Sequence, residues 1–461
     1  MCIRDSHRPV SEPTLVSLVH LGCARNLVDS EVMLARLAEE GALISGDDRE
    51  AEVVVLNTCS FIGAAREESE TALQGLLERK RSGELRGVVV AGCLVQRYQH
   101  ELEARFPDVD LFAEISDYRG LARAVVQLGR GESVPGYLAA AADGTPGGLR
   151  PADREGSRLL STPRSYAYLR ISHGCDHTCS FCAIPSIRGP HRSKDLAAVL
   201  GEARELIEAG VRELVLVAED ATAWGRELGL ELPALVEGLA ELEGEHRLRV
   251  MYAYPNRFPW DLTRLLREHP RVLPYLDIPI QHIATPVLRA MRRHGSGDDV
   301  RRILDRLREE VPGITIRTTV LLGFPGETEA DAEELERFVR EYRLGRLGAF
   351  TYSPEQGTSG YELPDRVPAD VAQRRYERVL AARDEVLEAE QAAAVGTVRE
   401  VLVDERHATR LVGRSERDAP EVDLIAVVDG AQAEVGDRIR VQVDAVDEEF
   451  NWICSRAGGA E

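Results

Sequence analysis

The sequence predicts an α/β protein with three parts: an N-terminal parallel α/β domain, a partial (β/α)6 barrel, and a small all-β barrel at the C-terminal end. Three observations favour this fold class. At 461 residues the chain exceeds one ordinary core and suggests three domains of ~150 residues each. Short β-runs alternate with amphipathic helical patterns along most of the chain, which is typical of parallel sheets. The C-terminal stretch instead holds short β-runs broken by glycines, as in small barrels.

The N-terminal domain is expected over residues 14–130. Each of its predicted strands leads into a helical pattern, and this order builds parallel sheets. The strands are predicted at 15–21, 53–56 and 88–90. The helices are predicted at 27–40, up to Leu77, and at 98–105.

A linker is predicted at 131–163, because this segment is rich in glycine and proline and has little hydrophobic periodicity. A second α/β series at 164–394 predicts the partial barrel, whose chemistry would lie at the carboxyl ends of its strands. Its elements are predicted as strands at 166–171, 213–217, 247–254, 275–280, 314–321 and 348–352, and a long charged helix at 368–394. The small barrel is expected at 395–457, with strands at 398–403, 423–428 and 438–443.

The charge of the chain argues against a broad nucleic-acid-binding surface. The chain carries 57 Lys and Arg against 78 Asp and Glu, a formal net charge of −21, whereas phosphate backbones are bound by cationic surfaces. The sequence has no apolar run near the ~18 residues of a membrane span, and its first residues lack the apolar core of a signal peptide. We therefore expect a cytoplasmic protein without membrane contact whose partners are basic.

Three of the eight cysteines form one closely spaced set directly after the first strand of the predicted barrel. These barrel cysteines are Cys175, Cys179 and Cys182. In a reducing compartment cysteines serve as metal ligands or reactive thiols more often than as disulfides. Three neighbouring thiolates can hold three irons of a cubane cluster and leave the fourth iron open to another ligand.

The alternative for the barrel cysteines is a structural zinc site. Its fourth ligand would be His173, His177 or His191. Structural zinc ligands usually arrive as two separated pairs, whereas this set is a single triad. The three histidines are therefore predicted to be polar surface groups.

A second set, the N-terminal cysteines, comprises Cys23, Cys59 and Cys93, and each follows a predicted strand and precedes a helical pattern. In a parallel sheet the carboxyl ends share one edge, where ligands bind in open α/β folds, so the three are expected to converge. Adjacent helix N-termini would favour thiolates and anionic sulfide. For any one of them the alternative is a buried thiol that acts as a small hydrophobe. Cys2 and Cys454 fit neither set.

The barrel cysteines, at this position in a β/α barrel, are similar to those of the radical S-adenosylmethionine (SAM) enzymes. Both cysteine sets in this order, followed by a small barrel, resemble the methylthiotransferase family of these enzymes, whose last domain is a TRAM domain. The resemblance extends from Thr14 to Cys454. It implies two [4Fe-4S] clusters: an auxiliary cluster on the N-terminal cysteines, and a cluster on the barrel cysteines that cleaves bound SAM.

Within this family the sequence is more similar to the RimO type, which modifies an aspartate of small-subunit ribosomal protein S12 (uS12), than to the type that modifies tRNA adenosines. Four stretches carry the similarity: GCARNLVDSE (22–31), ISHGCDHTC (171–179), YLDIPIQH (275–282) and YSPEQGT (352–358). One departure is Glu219, where the family has Gln before the residue equivalent to Asp220.

The resemblance implies that one SAM methylates sulfur held at the auxiliary cluster. A second SAM yields the radical that removes a hydrogen from the aspartate β-carbon, which then takes up the methylthio group. No protein general base is required, so no catalytic side chain is assigned. The implied electron donor is a flavodoxin or ferredoxin. The alternatives are the same chemistry on a tRNA adenosine and, in another class, a non-catalytic metal-binding module that docks on ribosomes.

Further residues are expected to bind SAM because they lie beside the barrel cysteines or at the carboxyl ends of barrel strands. They are Phe181, Asp220, Gln281, Gly323, Gly326 and Glu327. The alternatives are a core aromatic for Phe181, helix caps for Asp220 and Gln281, and a plain β-to-α turn for 323–327.

The predicted small barrel is acidic. Residues 395–461 carry eight Arg and no Lys against fifteen Asp and Glu, a net charge of −7. Such a surface would repel a tRNA backbone and attract a basic ribosomal protein. The alternative is that these carboxylates only keep the surface solvated.

Overall fold

The computed structural model describes residues 13–115, 117–139, 157–430 and 432–457. Part of the expected linker, 140–156, lies outside the described residues, as does Cys2. The chain divides into two compact units. Unit 1 holds the chain up to Leu159 together with Ser186–Gly189, and unit 2 holds Leu160–Pro185 and the chain from Pro190 onward.

Unit 1 is built on a parallel sheet whose central strands are buried from end to end. Its strands are β1 (Leu15–His20), β2 (Leu43–Ser45), β3 (Val53–Thr58), β4 (Gly87–Gly92), β5 (Leu111–Ala113) and β6 (Tyr137–Leu138). Their spatial order is β2-β1-β3-β4-β5-β6. The valine-rich runs of β3 and β4 suit this position, because strands covered on both faces are apolar throughout. The helices of this unit are Ala24–Glu39, Gly63–Ser82, Cys93–Tyr98, Glu101–Arg105 and Tyr118–Gly129.

The single helix predicted at 98–105 is wrong. The chain forms two short helices here, because Gln99 adopts a left-handed backbone with φ of +45° and interrupts the helical hydrogen bonding. The second helix buries Leu102. The short strands β2, β5 and β6 were not predicted, since two or three residues carry too little alternation to be recognised.

The first part of unit 2 is an open parallel sheet of the partial-barrel type. Its strands are β7 (Ala167–Arg170), β10 (Glu213–Val217), β11 (Arg247–Val250), β12 (Val272–Asp277), β13 (Thr315–Leu322) and β14 (Arg346–Thr351). Their order is β14-β13-β12-β11-β10-β7, and every pair is parallel. The short strands β8 (Ser172–His173) and β9 (Arg192–Ser193) form a separate antiparallel pair.

The helices of unit 2 cover this sheet and begin at recognisable caps. Ser296 and Thr328 each form a capping box with the aspartate three residues later. The α-helices are Leu196–Glu208, Leu232–Ala240, Leu262–Glu268, Thr285–Ala290, Gly297–Glu310, Glu329–Glu341 and Ala369–Ala392. A further short helix, Ile184–Arg188, begins in unit 2 and ends within Ser186–Gly189, which belongs to unit 1. Two 3-10 turns lie at Ala221–Ala223 and Arg226–Leu228. The fourth strand differs from its prediction at 275–280: it ends at Asp277, and Pro279, which has no N–H for a sheet ladder, follows.

The C-terminal part of unit 2 is a small closed barrel. Its strands are β15 (Val398–Arg406), β16 (Arg410–Arg414), β17 (Ala426–Asp429), β18 (Arg438–Val446) and β19 (Trp452–Arg456). The strand predicted at 423–428 begins only at Ala426. The sequence analysis missed β16 and β19. In β16, a Cβ at Gly413 would clash with the Leu402 carbonyl oxygen. The predicted fold class is confirmed.

The loop between β16 and β17 packs on the amino ends of the sheet strands through buried charges. Arg414 pairs with Glu213, the first residue of β10, at 3.2 Å. Arg346, the first residue of β14, pairs with Asp418 at 2.7 Å. This loop therefore joins the small barrel to the partial barrel. Within the described ranges, no helix has both the length and the apolar character needed to cross a bilayer.

Candidate functional site

The N-terminal cysteines lie where strands of unit 1 end. Cys23 caps the helix Ala24–Glu39 three residues after β1, Cys59 directly follows β3, and Cys93 directly follows β4. Because these strands are parallel neighbours, the three cysteines share one edge of the sheet. The charges of Cys93 and Cys23 both act to raise the pKa of Cys59. The structure therefore brings the three thiols together.

Polar side chains fix the backbone around these cysteines. Asn26 Nδ2 donates to the Leu21 carbonyl oxygen at 2.6 Å and to the Thr58 carbonyl oxygen at 3.2 Å. The Cys59 N–H donates to Ser69 Oγ at 3.1 Å. These bonds hold the ends of β1 and β3 in a fixed relation.

Gly92 is required for the turn that leads into Cys93. Its φ is +95°, and a Cβ at this position would lie 2.2 Å from Asn57 Oδ1 and 2.7 Å from the Thr58 carbonyl oxygen. Only glycine fits such a backbone at such close range. The turn therefore depends on the absence of a side chain.

The pKa shifts of the three N-terminal cysteines differ in direction, although backbone N–H groups favour the thiolates of Cys23 and Cys59. Burial raises the pKa of Cys59 to about 11, and burial likewise raises the pKa of Cys93. The helix after Cys59 begins only at Gly63. For Cys23, burial acts to raise the pKa, but the charges of Arg25 and Arg188 outweigh it and the pKa lies below its usual value.

The barrel cysteines lie in a loop that follows β7 and is closed by the β8–β9 pair. The loop is fastened at Ser180, whose N–H donates to the Met291 carbonyl oxygen at 3.0 Å and whose Oγ donates to the Ala290 carbonyl oxygen at 2.7 Å. The Gly360 N–H donates to the Ser180 carbonyl oxygen at 2.6 Å. The middle of the cysteine loop is therefore held by three hydrogen bonds.

The three thiols of this loop are also neighbours. Burial raises the pKa of Cys175 to about 12, and the charges of Cys182, Asp220 and Cys179 act in the same direction. None of the seven cysteines of the described chain forms a disulfide. Within the same residues, no group of three or more His, Cys, Asp or Glu side chains is arranged to hold a single metal ion. Two sets of converging free thiols fit iron–sulfur clusters, whose irons are each held by a separate thiolate.

A stack of rings and a guanidinium lies beside Cys179. The rings of His177 and Tyr254 are nearly parallel, with centroids 3.7 Å apart. The guanidinium of Arg293 lies 4.1 Å from the Tyr254 ring centroid, and its Nη1 lies 3.8 Å from Cys179 Sγ. The sequence analysis did not single out Tyr254 or Arg293, because neither belongs to a spacing pattern that indicates metal chemistry.

The prediction that the histidines near the loop are surface groups is wrong. His173 is buried in β8, and the side chain of His191 is largely covered. His177 Nε2 lies 2.7 Å from Asp220 Oδ2. Burial acts to raise the pKa of Asp220, but hydrogen bonds from His177 and Thr222 outweigh it and hold the pKa below its usual value.

Two of the residues predicted to bind SAM lie close to the cysteine loop. Asp220 lines a cavity of about 170 Å³ together with Cys175 and His177. Phe181 lies within the loop and packs against an apolar cluster that includes Met291 and Phe324. Asp220 therefore faces open space, whereas Phe181 contributes to packing.

Gln281 lies four residues after the end of β12, not at the end of the strand. Its φ is +72°. Its N–H donates to the Thr319 carbonyl oxygen at 2.8 Å, and its own carbonyl oxygen accepts from the Leu321 N–H at 2.7 Å. The backbone of Gln281 thus forms a single parallel bridge to Val320 of β13.

The turn at 323–327 is stabilised from inside. The Gly323 N–H donates to Glu327 Oε2 at 2.8 Å, and Arg375 Nη1 donates to Glu327 Oε1 at 2.9 Å. A Cβ on Gly323 would meet Ala372 Cβ at 2.4 Å, whereas a Cβ on Gly326 would meet no atom within 4 Å. Glu327 and Gly323 hold the turn, and Gly326 is the member of the turn that is open to a ligand.

The chain matches three family models and is similar to several known proteins. Residues 16–114 match the uncharacterized protein family UPF0004, residues 169–339 match the radical SAM superfamily, and residues 395–449 match the TRAM domain. Two relatives are each 41% identical over 433 residues, which is 93% of this chain and 95% of each relative. They are named ribosomal protein uS12 methylthiotransferase RimO, from Trichlorobacter lovleyi and Geobacter sulfurreducens.

The chain belongs to the RimO family of radical SAM methylthiotransferases. A relative of the same name from Bacteroides thetaiotaomicron is 39% identical and covers 94% of this chain and 96% of its own length. The match to the radical SAM superfamily favours an iron–sulfur cluster over structural zinc in this domain. The radical SAM domain implies a [4Fe-4S] cluster and SAM. Membership of the methylthiotransferase family makes the chain a transferase.

Two solved structures share much of the fold of this chain. The radical SAM methyltransferase TsrM from Kitasatospora setae superposes with a TM-score of 0.53 at 16% identity, over 76% of this chain and 74% of its own. The cobalamin-dependent SAM radical enzyme OxsB gives a TM-score of 0.50 at 13% identity, over 82% of this chain and 56% of its own. At these identities the likeness concerns the fold alone.

Proposed function

We propose that this protein adds a methylthio group to the β-carbon of an aspartate of ribosomal protein uS12. The observation that carries the proposal is the pair of cysteine sets, one at the sheet edge of unit 1 and one in the loop after β7, in a chain of the RimO family. Named relatives over nearly the full length support the substrate. The proposed organisation is an N-terminal methylthiotransferase domain at 14–130, a linker at 131–163, a radical SAM domain at 164–394 and a TRAM-like barrel at 395–457.

The auxiliary cluster is proposed to be a second [4Fe-4S] cluster on Cys23, Cys59 and Cys93. The proximity of three free thiols at the carboxyl edge of a parallel sheet supports it. Iron binds the deprotonated form of cysteine, so assembly of the cluster would release protons from these thiols.

The proposed SAM-cleaving cluster is held by Cys175, Cys179 and Cys182. When bound, the clusters and SAM supply the electron transfer, the radical and the sulfur that protein side chains lack. The chain itself holds the loop through Ser180 and places the Arg293 charge beside Cys179. No side chain is assigned as a general base.

The proposed SAM-binding residues are those of the sequence analysis, and the structure suggests two different roles for them. Asp220 faces the cavity beside the cysteine loop, and Gly326 is the open member of its turn. Phe181, Gln281, Gly323 and Glu327 support the site through packing and backbone hydrogen bonds. We propose that these four residues shape the pocket and that Asp220 and Gly326 line it.

The substrate is proposed to be recognised as a basic protein. Exposed carboxylates cover the small barrel, among them Glu405, Asp429, Glu434, Asp437, Asp444, Glu448 and Glu449. Opposite charge speeds and orients protein association, whereas this surface opposes a tRNA backbone. We further propose a cytoplasmic location, a flavodoxin or ferredoxin as electron donor, and no direct tRNA substrate.

The test is a pair of parallel reactions with the anaerobically reconstituted protein, SAM, sulfide and a reductant. One reaction contains uS12 and the other contains unmodified tRNA. The expected result is a methylthio mass gain on a uS12 aspartate, and none in a matched Cys175→Ala, Cys179→Ala, Cys182→Ala variant. A gain on a tRNA adenosine alone would replace the proposed substrate with the alternative one. Zinc without labile sulfide in the reconstituted protein would reject the radical mechanism.

A further inference from the structure

A buried arginine contacts the N-terminal cysteines from a distant part of the sequence. Arg188 belongs to Ser186–Gly189, which joins unit 1 although both flanking segments belong to unit 2. Its relative exposure is 4%. Arg188 Nη2 lies 3.3 Å from Cys93 Sγ, within the range of an N–H···S hydrogen bond. The positive charge of Arg188 therefore lies beside the sulfur of Cys93, which is one of the proposed cluster ligands.

The orientation of this guanidinium is fixed by two buried side chains. Arg188 Nη1 donates to Asp29 Oδ2 at 2.5 Å, and Nη2 also donates to Asn26 Oδ1 at 3.2 Å. Asp29 and Asn26 are each 1% exposed. Because Asn26 is itself bonded to the ends of β1 and β3, the guanidinium cannot turn away from Cys93 without breaking several bonds.

Stability alone does not account for this arrangement. The Arg188 and Asp29 side chains are 3% and 1% exposed, and the desolvation of such a pair costs about as much as its attraction returns. Apolar residues of similar volume would serve packing equally well. Groups that contact metal ligands from outside commonly tune the bound metal.

We propose that Arg188 is a positioning residue that raises the reduction potential of the auxiliary cluster. This inference rests on the proposed cluster at the N-terminal cysteines. Hydrogen bonds to cluster sulfurs and nearby charge are two of the factors that set such potentials. The guanidinium donates to Cys93 Sγ and stabilises the more negative, reduced cluster, while Asp29 orients Arg188 and partly offsets its charge.

The two charges predict shifts of opposite sign. Arg188→Gln removes the positive charge and leaves Asp29, so the potential should become more negative. Asp29→Asn removes a negative charge that lies 2.5 Å from the guanidinium, so the potential should become more positive. Arg188→Lys keeps the charge without the planar fork and should fall between the parent and Arg188→Gln. A merely structural role would not produce opposite shifts.

The experiment uses the full chain with all three barrel cysteines replaced by alanine, so that the proposed auxiliary cluster is the one observed. Each variant is reconstituted anaerobically and titrated with dithionite against redox dyes, with the reduced cluster followed by electron paramagnetic resonance. We expect at least a tenfold fall in the reduced-to-oxidised ratio for Arg188→Gln at a fixed potential, which corresponds to about 59 mV for one electron. Arg123→Gln, at an exposed position on helix Tyr118–Gly129, makes the same charge change and should leave the potential unchanged.

Equal potentials in all variants, or shifts of the same sign for Arg188→Gln and Asp29→Asn, would overturn the inference. If Arg188→Gln fails to hold a cluster, Arg188→Lys and Asp29→Asn decide it by their own shifts. Absence of iron and sulfide from the parent without barrel cysteines would instead reject the proposed auxiliary cluster, and with it this role. The two failures are therefore distinguished by iron content.

Discussion

Glu213 and Arg414 form an ion pair of 3.2 Å in which each side chain is 3% exposed. Glu213 opens β10 of the partial barrel, and Arg414 closes β16 of the small barrel. Arg249 also donates to Glu213, at 2.7 Å. Burial acts to raise the pKa of Glu213, but the charges of Arg249 and Arg414 outweigh it and keep the pKa below its usual value. The Glu213 carboxylate thus contacts two buried guanidinium groups where the barrels meet, and Arg414 also pairs with Asp404 at 2.7 Å.

Replacing Glu213 should therefore strongly destabilise unit 2. Glu213→Gln removes the carboxylate that Arg249 contacts and leaves Arg414 with Asp404 as its acidic partner, and we expect the free energy of unfolding to fall by about 3–5 kcal/mol. The matched control is Glu245→Gln, because the Glu245–Arg212 pair is 77% and 40% exposed. The control should cost less than about 1 kcal/mol. Equal losses of stability in urea titrations of the two variants would contradict this assignment.

Lowering the pH should destabilise the protein through His282. Burial lowers the pKa of His282 to about 4. The charge of Asp331 acts to raise this pKa, and the charge of Arg375 acts to lower it. Its Nε2 lies 3.7 Å from Glu327 Oε2, a contact that is not an ion pair at neutral pH because the imidazole is uncharged. The unfolded chain takes up this proton below pH ~6.5, so stability is present above that value and is lost as the pH falls toward about 4.

The measurement is the free energy of unfolding in urea at several pH values within this window. The full loss amounts to about 3 kcal/mol, and His282→Gln should flatten the pH dependence. His407→Gln replaces a histidine that is 48% exposed and should leave the curve unchanged. A parent curve that is flat through the window would show that His282 titrates normally.

The turn after β13 should tolerate a methyl group at one glycine and not at the other. Gly323 and Gly326 have φ values of +75° and +83°, so alanine is strained at both. A Cβ meets Ala372 Cβ at 2.4 Å only for Gly323. We expect Gly326→Ala to cost about 1 kcal/mol of unfolding free energy, from backbone strain alone. Gly323→Ala should cost roughly 2–4 kcal/mol, because overpacking adds to the strain, and equal thermal unfolding of the two variants would disprove this.

Removing the Arg293 charge should slow reductive cleavage of SAM. Arg293→Met keeps a flexible side chain over Tyr254 but removes the guanidinium that lies 3.8 Å from Cys179 Sγ. We expect the loss of the cation–π contact and of the nearby charge to raise the activation free energy of SAM cleavage by about 1–2 kcal/mol, which slows the cleavage roughly tenfold. The formation of 5′-deoxyadenosine under dithionite measures the effect. Arg293→Lys should recover part of the rate, and an unchanged rate for Arg293→Met at full iron content would exclude this role.

Association with uS12 should weaken with ionic strength. The acidic surface of the small barrel acts over about a Debye length, which shortens from ~30 Å at 0.01 M to ~10 Å at 0.1 M salt. We expect the association rate to fall severalfold over this range. Glu448→Lys with Glu449→Lys should lower it further, whereas Glu101→Lys, at an exposed position in unit 1, should not. Binding that is indifferent to salt would remove the charge argument for the substrate.

The elements with strong periodicity were predicted well from the sequence. The β10 strand was predicted with the bounds that the structure has, and the long helix Ala369–Ala392 lies within two residues of its predicted limits. The spacing of the two cysteine sets also pointed to the edges where the thiols lie. These features depend on local pattern, which a single sequence contains.

The remaining parts of the site depend on contacts between distant residues. No spacing pattern links Arg188 to Cys93, or Arg293 to Tyr254, because the fold alone brings each pair together. The same applies to Glu327, which the sequence presents as a possible ligand contact and the structure engages with Arg375. Such pairings become visible only in three dimensions.

Because Ser186–Gly189 belongs to unit 1, a cut at the linker separates part of that unit from the rest. A fragment that ends at Leu159 contains all three N-terminal cysteines but lacks Arg188, so Asp29 would lose a guanidinium partner. A fragment that keeps the whole environment of Cys93 therefore has to include the segment that begins four residues after Cys182. Separating the N-terminal cysteines at the linker would remove a positive charge from beside one of them.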